Sequence, residues 1–290
     1  MHYLVLAAGV LVVSTASILI RLAQAEAVPS LTIAAVRLGL AALVLIPLAG
    51  LRSRRELAAL SRRDLLLALA SGALLAVHFW SWIASLEYTS VASSTVLVTT
   101  NPLWVGLASL FLLRERLPAA ALIGIGLSLV GTLLTFAAET TVATASPDPV
   151  LGNTLALIGA VSASGYLLIG RALRGRLGLL AYVALAYGAA ALLLWAGVVV
   201  TQTPVQGYSN AAWLFLVALA LGPQLIGHTT FNWALRHLSA TFVALAILGE
   251  PVGSAILAWL LFGERFGPLQ LAGFALLLIG IALGARGEHK

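Results

Sequence analysis

Cysteine is absent from this 290-residue chain, methionine occurs once, and only 9% of the residues are charged. Without cysteine there are no disulfides and no thiolate metal sites. Soluble domains run near a quarter charged, so this composition excludes an ordinary soluble protein. Polar stretches stay below about 15 residues, far short of the ~50 that a separate domain needs, and no soluble domain is expected. His-Glu-x-x-His, Gly-x-Ser-x-Gly, a P-loop and paired acids are all missing. The chain therefore offers neither a nucleophile with its base nor a metal cluster, and the expectation is a protein with no catalytic residue, no metal and no cofactor.

What fills the chain is apolar: 61% hydrophobic, with a mean hydropathy of +1.05. Runs of about 20 apolar residues, the length that spans a bilayer, recur throughout. Ten spans are read at 3–24, 29–50, 63–86, 91–113, 118–137, 151–173, 178–201, 211–235, 240–262 and 267–285. They are read as helices, because a barrel would need short alternating strands. Ala23-Gln24-Ala25 has the form of a cleavage site. The start Met1-His2-Tyr3 lacks a positive region, however, and the first apolar run is long, so it is kept as a helix.

Thirteen of the 16 basic residues lie in alternate loops. They are Arg52, Arg54, Arg55, Arg62 and Arg63; Arg114 and Arg116; Arg171, Arg174 and Arg176; Arg236; and Arg286 and Lys290. The positive-inside rule places these loops, and both termini, in the cytoplasm. The basic balance is thus a topology signal, and no nucleic-acid partner is expected. The opposite loops hold Glu26, Glu87, Glu139 and Asp148.

Two apolar runs are interrupted alike, at Thr99-Thr100-Asn101-Pro102 and at Leu248-Gly249-Glu250-Pro251, with the prolines 149 residues apart. At that offset Leu86 falls on Leu235, Ser90 on Ser239, Glu115-Arg116 on Glu264-Arg265, Gly124 on Gly273 and Gly131 on Gly280. The chain reads as an all-α polytopic membrane protein of two five-helix repeats, 1–138 and 151–290, joined by an outer linker at 139–150. Five is odd, so the repeats enter the membrane in opposite senses. Transporters built this way bind substrate near the midplane, between the repeats.

Leu-Leu-Arg-Glu-Arg-Leu at 112–117 and Leu-Phe-Gly-Glu-Arg-Phe at 261–266 close the two fourth helices, each followed by its glycine pair. In these features the chain resembles the drug/metabolite transporter superfamily, and within it the EamA-type permeases. Among ten-helix members it looks like the YddG-like aromatic amino acid exporters. The resemblance implies a multi-pass protein of the cell's inner membrane that exports amino acids, aromatic ones as a candidate class, or similar small metabolites. Its partners would be a small-molecule substrate and membrane lipid, as a monomer or a homodimer. Small multidrug relatives use a carboxylate in their first helix; here that helix offers Ser14, Ser17 and Arg21. Multidrug or cation efflux and lipid-linked translocation remain alternatives, and an intramembrane enzyme a distant one.

Polar groups within spans face a cavity, the bundle interior or each other. Gln224, His228 and Asn232 recur at i, i+4 and i+8, one stripe on one face, after a Gly222-Pro223 break. They line a cavity or form an interhelical hydrogen-bond seam. His78 and Trp82 are spaced i, i+4, as substrate contacts or as packing, while Trp80 should face lipid. Asn101 and Glu250 sit at the two breaks, as substrate-binding groups or as parts of structural kinks. Pro102, Pro223 and Pro251 are the expected hinges, each freeing a carbonyl. Arg37 snorkels outward, pairs with Glu250 or Glu87, or binds a substrate carboxylate. The small-residue faces of spans five and ten read as scaffold, packed together or at a dimer contact.

Overall fold

Short polar side chains fix where helices begin. Ser61, Asp148, Ser209 and Ser239 each accept a hydrogen bond from the amide three residues on, at 3.0, 3.0, 3.0 and 3.1 Å. Each satisfies an amide that a helix start leaves without a partner. The computed structural model describes residues 1–89, 91–111, 114, 117–139, 147–262 and 266–288, and every element among them is helical. In chain order these are α1 (His2–Val13), α2 (Ala16–Ala25), α3 (Ser30–Arg52), α4 (Arg54–Ala58), α5 (Arg62–Tyr88), α6 (Val91–Val98), α7 (Asn101–Phe111) and α8 (Ala119–Glu139). There follow α9 (Pro149–Arg174), α10 (Leu179–Thr201), α11 (Asn210–Leu219), a π-helical segment (Ala220–His228), α12 (Thr229–Ala234), α13 (Ala240–Ile247), α14 (Glu250–Phe262) and α15 (Pro268–Glu288).

The surface is lined by large apolar side chains such as Leu4, Leu43, Leu192, Val200 and Leu214, while Ser14, Thr32, Arg37, Ser71, Gln224 and Asn232 are buried. That inverts the soluble arrangement and suits a surface that meets lipid. Eight helices among the described residues are long and apolar enough to cross a membrane, with a shorter apolar helix at Ala119–Leu134. The chain is a multi-pass membrane protein.

The 149-residue offset governs the element boundaries. It carries Ser30–Arg52 onto Leu179–Thr201, Val91–Val98 onto Ala240–Ile247, and Ala119–Glu139 onto Pro268–Glu288; it also carries the start of α7 at Asn101 onto the start of α14 at Glu250. Packing repeats the same symmetry. The α5 helix lies along α9, as α1 and α2 lie along the π segment and α11, while α3 pairs with α10 and α8 with α15. The α8–α15 contact is a seam of small residues: a Cβ added at Gly124 would meet the Gly280 carbonyl oxygen at 2.6 Å, and one at Gly131 the Gly273 carbonyl oxygen at 2.6 Å. Only glycine permits so close an approach of backbones, so the two small-residue faces pack on each other.

Two features differ from the sequence reading. The first span breaks at Ser14-Thr15, because both hydroxyls turn back onto backbone carbonyls, Ser14 Oγ to Val10 O at 2.8 Å and Thr15 Oγ1 to Val12 O at 2.7 Å. Such bonds bend helices, and Ser254 Oγ of α14 donates to the Ser14 carbonyl at 2.9 Å. Around Pro223 a π-helical segment stands where a simple kink is expected. Proline has no amide for the carbonyl four residues back, and a π-helix is one way a helix absorbs that loss. The Glu115-Arg116 and Glu264-Arg265 pairs, and linker residues 140–146, lie outside the described residues.

Candidate functional site

In each repeat one helix pair is interrupted at the same offset. Between α6 and α7, and between α13 and α14, a two-residue turn breaks the helix, and the second half starts on Asn101 or Glu250 with proline next. Pro102 and Pro251 offer no amide to the carbonyls of Val98 and Ile247, four residues back. Val98, Ile247, Asn101 and Glu250 all line one cavity of about 40 Å³. The same wall takes in His78 and Trp82 of α5, Tyr166 of α9, His228 at the end of the π segment and Phe231 of α12. Trp82 and Phe231 are themselves 149 residues apart, one aromatic wall from each repeat.

Several polar atoms at this wall are buried without a hydrogen-bond partner: Trp82 Nε1, Asn101 Oδ1 and His228 Nδ1. Buried polar groups are nearly always paired, and these three point to a ligand. His78 is held differently. Its Nδ1 lies 3.0 Å from the Gly159 carbonyl oxygen; a carbonyl only accepts, so Nδ1 carries the proton and Nε2 of the neutral ring is an acceptor. The His78 ring stacks on Trp82, centroids 6.0 Å apart, and tilts against Phe79 at 4.7 Å. Glu250 forms no ion pair among the described residues.

The expected polar stripe of span eight is split. His228 faces the cavity, whereas Gln224 accepts from Arg37 Nε at 2.7 Å. Asn232 donates to Tyr166 OH, to Tyr187 OH at 3.1 Å and to the His228 carbonyl at 2.8 Å. The three side chains thus meet different partners: one lines the cavity and two form hydrogen-bond seams between helices. Pro223 is buried beside Gln224 and does not line the cavity. Arg37 does not snorkel: it is fully buried, with its Cζ 3.9 Å from the centroid of Phe79. Glu87 instead takes the hydroxyl of Ser30 at 2.5 Å. Trp80 is 42% exposed, on the outer surface as expected.

Sequence reasoning missed Tyr166, Tyr182, Tyr187 and Arg174. Tyr182 OH lies 2.7 Å from Ser71 Oγ, and the buried Arg174 donates from Nε to the Asn232 carbonyl at 3.0 Å. Tyrosines inside apolar runs are not conspicuous, and Arg174 read as a loop charge. Phe231 was available from the repeat offset, as the counterpart of Trp82. Among the described residues no group of three or more His, Asp or Glu could hold a metal.

Two repeats related by one offset, with broken helices meeting at a buried cavity, define the class of two-repeat membrane transporters. Residues 1–137 and 150–285 match the EamA-like transporter family, and the chain belongs to it. Similar proteins include an uncharacterized transporter of Clostridium kluyveri, 24% identical over 210 residues, 71% of this chain and 67% of that one. An uncharacterized transporter of Archaeoglobus fulgidus is 25% identical over 213 residues, 71% of each chain. The uncharacterized transporter YetK of Bacillus subtilis is 23% identical over 198 residues, 67% of this chain and 60% of that one. A solved crystal structure aligns with a TM-score of 0.79 over 99% of this chain and 97% of its own, at 22% identity, a likeness of fold alone.

Proposed function

We propose that this transporter is a secondary carrier that exports amino acids, aromatic ones among them, or similar small metabolites. It works by alternating access through the cavity between the repeats. The observation that carries this reading is the cavity wall: aromatic rings on two sides, an acid and an amide at the symmetry-related breaks, and polar atoms left for a ligand. At about 40 Å³ the cavity has space for roughly three waters, so substrate enters only when the repeats rock apart. Hydrogen bonds and an ion pair between the repeats bridge both ends. At one end Arg176 pairs with Asp64 at 3.0 Å and Glu56 accepts from the Gly178 amide. At the other, Thr32 donates to the Pro204 carbonyl at 2.8 Å and Thr89 to Asn153 at 2.9 Å.

In this proposal the chain crosses the plasma membrane ten times with both termini inside. The pairs α1–α2, α6–α7 and α13–α14 each form one pass, as does the run α11 to α12, and the repeats span 1–138 and 151–290 about an outer linker. The arginine-rich loops after α3 and α9 support that orientation. No catalytic role is assigned to any residue. A second reading, cation efflux, is favoured by Glu250, a buried acid among aromatic rings with no ion pair among the described residues. The test is efflux from preloaded proteoliposomes, with a panel of amino acids and a lipophilic cation run in parallel. Export of aromatic amino acids at a rate above protein-free vesicles is expected. Flux of the cation alone would establish the second reading, and flux of neither would remove both.

A further inference from the structure

A group of hydrogen-bond donors lies just behind the cavity wall. Arg37 is fully buried in α3, and Gln224 in the π segment is equally buried. Arg37 Nε donates to Gln224 Oε1, which fixes both side chains, yet Arg37 Nη1, Arg37 Nη2 and Gln224 Nε2 have no partner. All three are donors, and a guanidinium presents its outer nitrogens as a fork that matches the two oxygens of a carboxylate. Glu250 acts on Arg37 electrostatically but makes no ion pair with it among the described residues. Phe79 links this group to the cavity wall. Its ring lies under the guanidinium at 3.9 Å, and its other contacts are His78 at 4.7 Å and His228 at 5.0 Å, both cavity residues.

In the cavity wall itself the spare groups are of the opposite kind. Asn101 Oδ1 is an acceptor without a partner, Glu250 is an acid, and prolines free the carbonyls of Val98 and Ile247. The site is thus polarised, with donors at Arg37 and Gln224 and acceptors at Asn101 and Glu250. We infer that Arg37 and Gln224 form a carboxylate-binding subsite, uncovered when Phe79 turns aside, which takes the carboxylate of an α-amino acid whose ammonium lies toward Asn101 and Glu250. This inference rests on the carrier reading above and narrows its substrate to zwitterions. It also gives the buried guanidinium an anion to bind, since an unpaired charge inside a membrane protein marks a functional position.

The experiment measures binding of L-phenylalanine, L-phenylalaninamide and phenethylamine to purified protein in lipid nanodiscs. Wild type should bind phenylalanine about 10- to 100-fold more tightly than the other two, the value of hydrogen bonds to a charged group. Arg37→Met should erase that preference, bringing phenylalanine down to the affinity of the amine. Gln224→Glu should erase it too, by placing a permanent carboxylate against the guanidinium; this variant adds an ion pair, so it decides the matter if Arg37→Met fails to fold. Equal wild-type binding of all three compounds would overturn the subsite and leave the carrier reading standing. So would a preference retained in the folded variants. Binding of none of the three would remove the amino acid reading and the subsite with it.

Discussion

Asn101 and Glu250 stand at equivalent places, one at the head of α7 and one at the head of α14, and they differ by a charge. Both are buried and both line the cavity. Burying an acid is costly unless it is paired, and no partner is attached to Glu250 among the described residues. Glu250→Gln keeps the shape and removes the charge. It should hold or raise the thermal midpoint while lowering affinity for amine-bearing substrates about 10- to 100-fold, since charged hydrogen bonds contribute about 1.5–3 kcal/mol. Thermal unfolding in detergent and a binding isotherm on the same sample check both halves. Of the residues singled out in the sequence, His78, Trp82, Asn101, His228 and Glu250 line the cavity, whereas Gln224 and Asn232 bond to Arg37 and to tyrosines. The sequence was silent on Tyr166, whose ring looks like an ordinary membrane residue until packing turns it inward, and it offered Phe231 only as the counterpart of Trp82.

Among the elements, the pairing of α8 with α15 depends on what is missing from their faces. A Cβ at Gly280 would lie 2.1 Å from Ser128 Oγ and 2.6 Å from the Gly124 carbonyl oxygen, whereas one at Gly126 meets nothing within 4 Å. Gly280→Ala should therefore destabilise the protein by about 1–3 kcal/mol, the usual cost of overpacking, and Gly126→Ala should not. Thermal midpoints of the two variants, compared under one detergent condition, separate a seam from a merely glycine-rich helix. The small-residue faces of the seam were legible because glycine spacing is visible in the chain, though a dimer contact stood as the alternative. The break at Ser14-Thr15 was not legible, since it depends on Ser254 reaching across from α14. Nor was the π segment: Pro223 announces a disturbance, but the partners of Gln224 and Asn232 are Arg37 and the tyrosines, which are distant in sequence.

For the molecule as a whole, the contacts that bridge the two ends are unequal. The Arg176–Asp64 pair is half exposed on its arginine side, and exposed pairs contribute about 0–1 kcal/mol; the bond from the Gly178 amide to Glu56 lies beside it. Neutralising both acids, as Asp64→Asn with Glu56→Gln, should leave the fold intact and favour opening at this end. A cysteine introduced at the cavity, Val98→Cys, should then react faster with a membrane-impermeant thiol reagent offered from that side. An unchanged rate would mean that these contacts do not hold the end closed. The two-repeat plan was legible from sequence because duplication leaves matched residues at a fixed spacing. The contacts that bridge the two ends were not, because Thr32, Glu56, Asp64 and Thr89 fall on Ala181, Val205, Trp213 and Leu238 at the offset and carry no repeat signal.

The fixed spacing also bears on how such a molecule knows up from down. Were the two repeats identical, the protein turned over in the membrane would be indistinguishable from itself, and no vectorial preference could exist. Handedness of transport can reside only where the copies disagree. At the site the copies disagree throughout, and four of the differences change polarity or charge: Arg37 answers to Ala186, Gln224 to Leu75, His228 to Phe79, and Glu250 to Asn101. The residues that would recognise a zwitterion are thus among those that tell the two faces of the membrane apart.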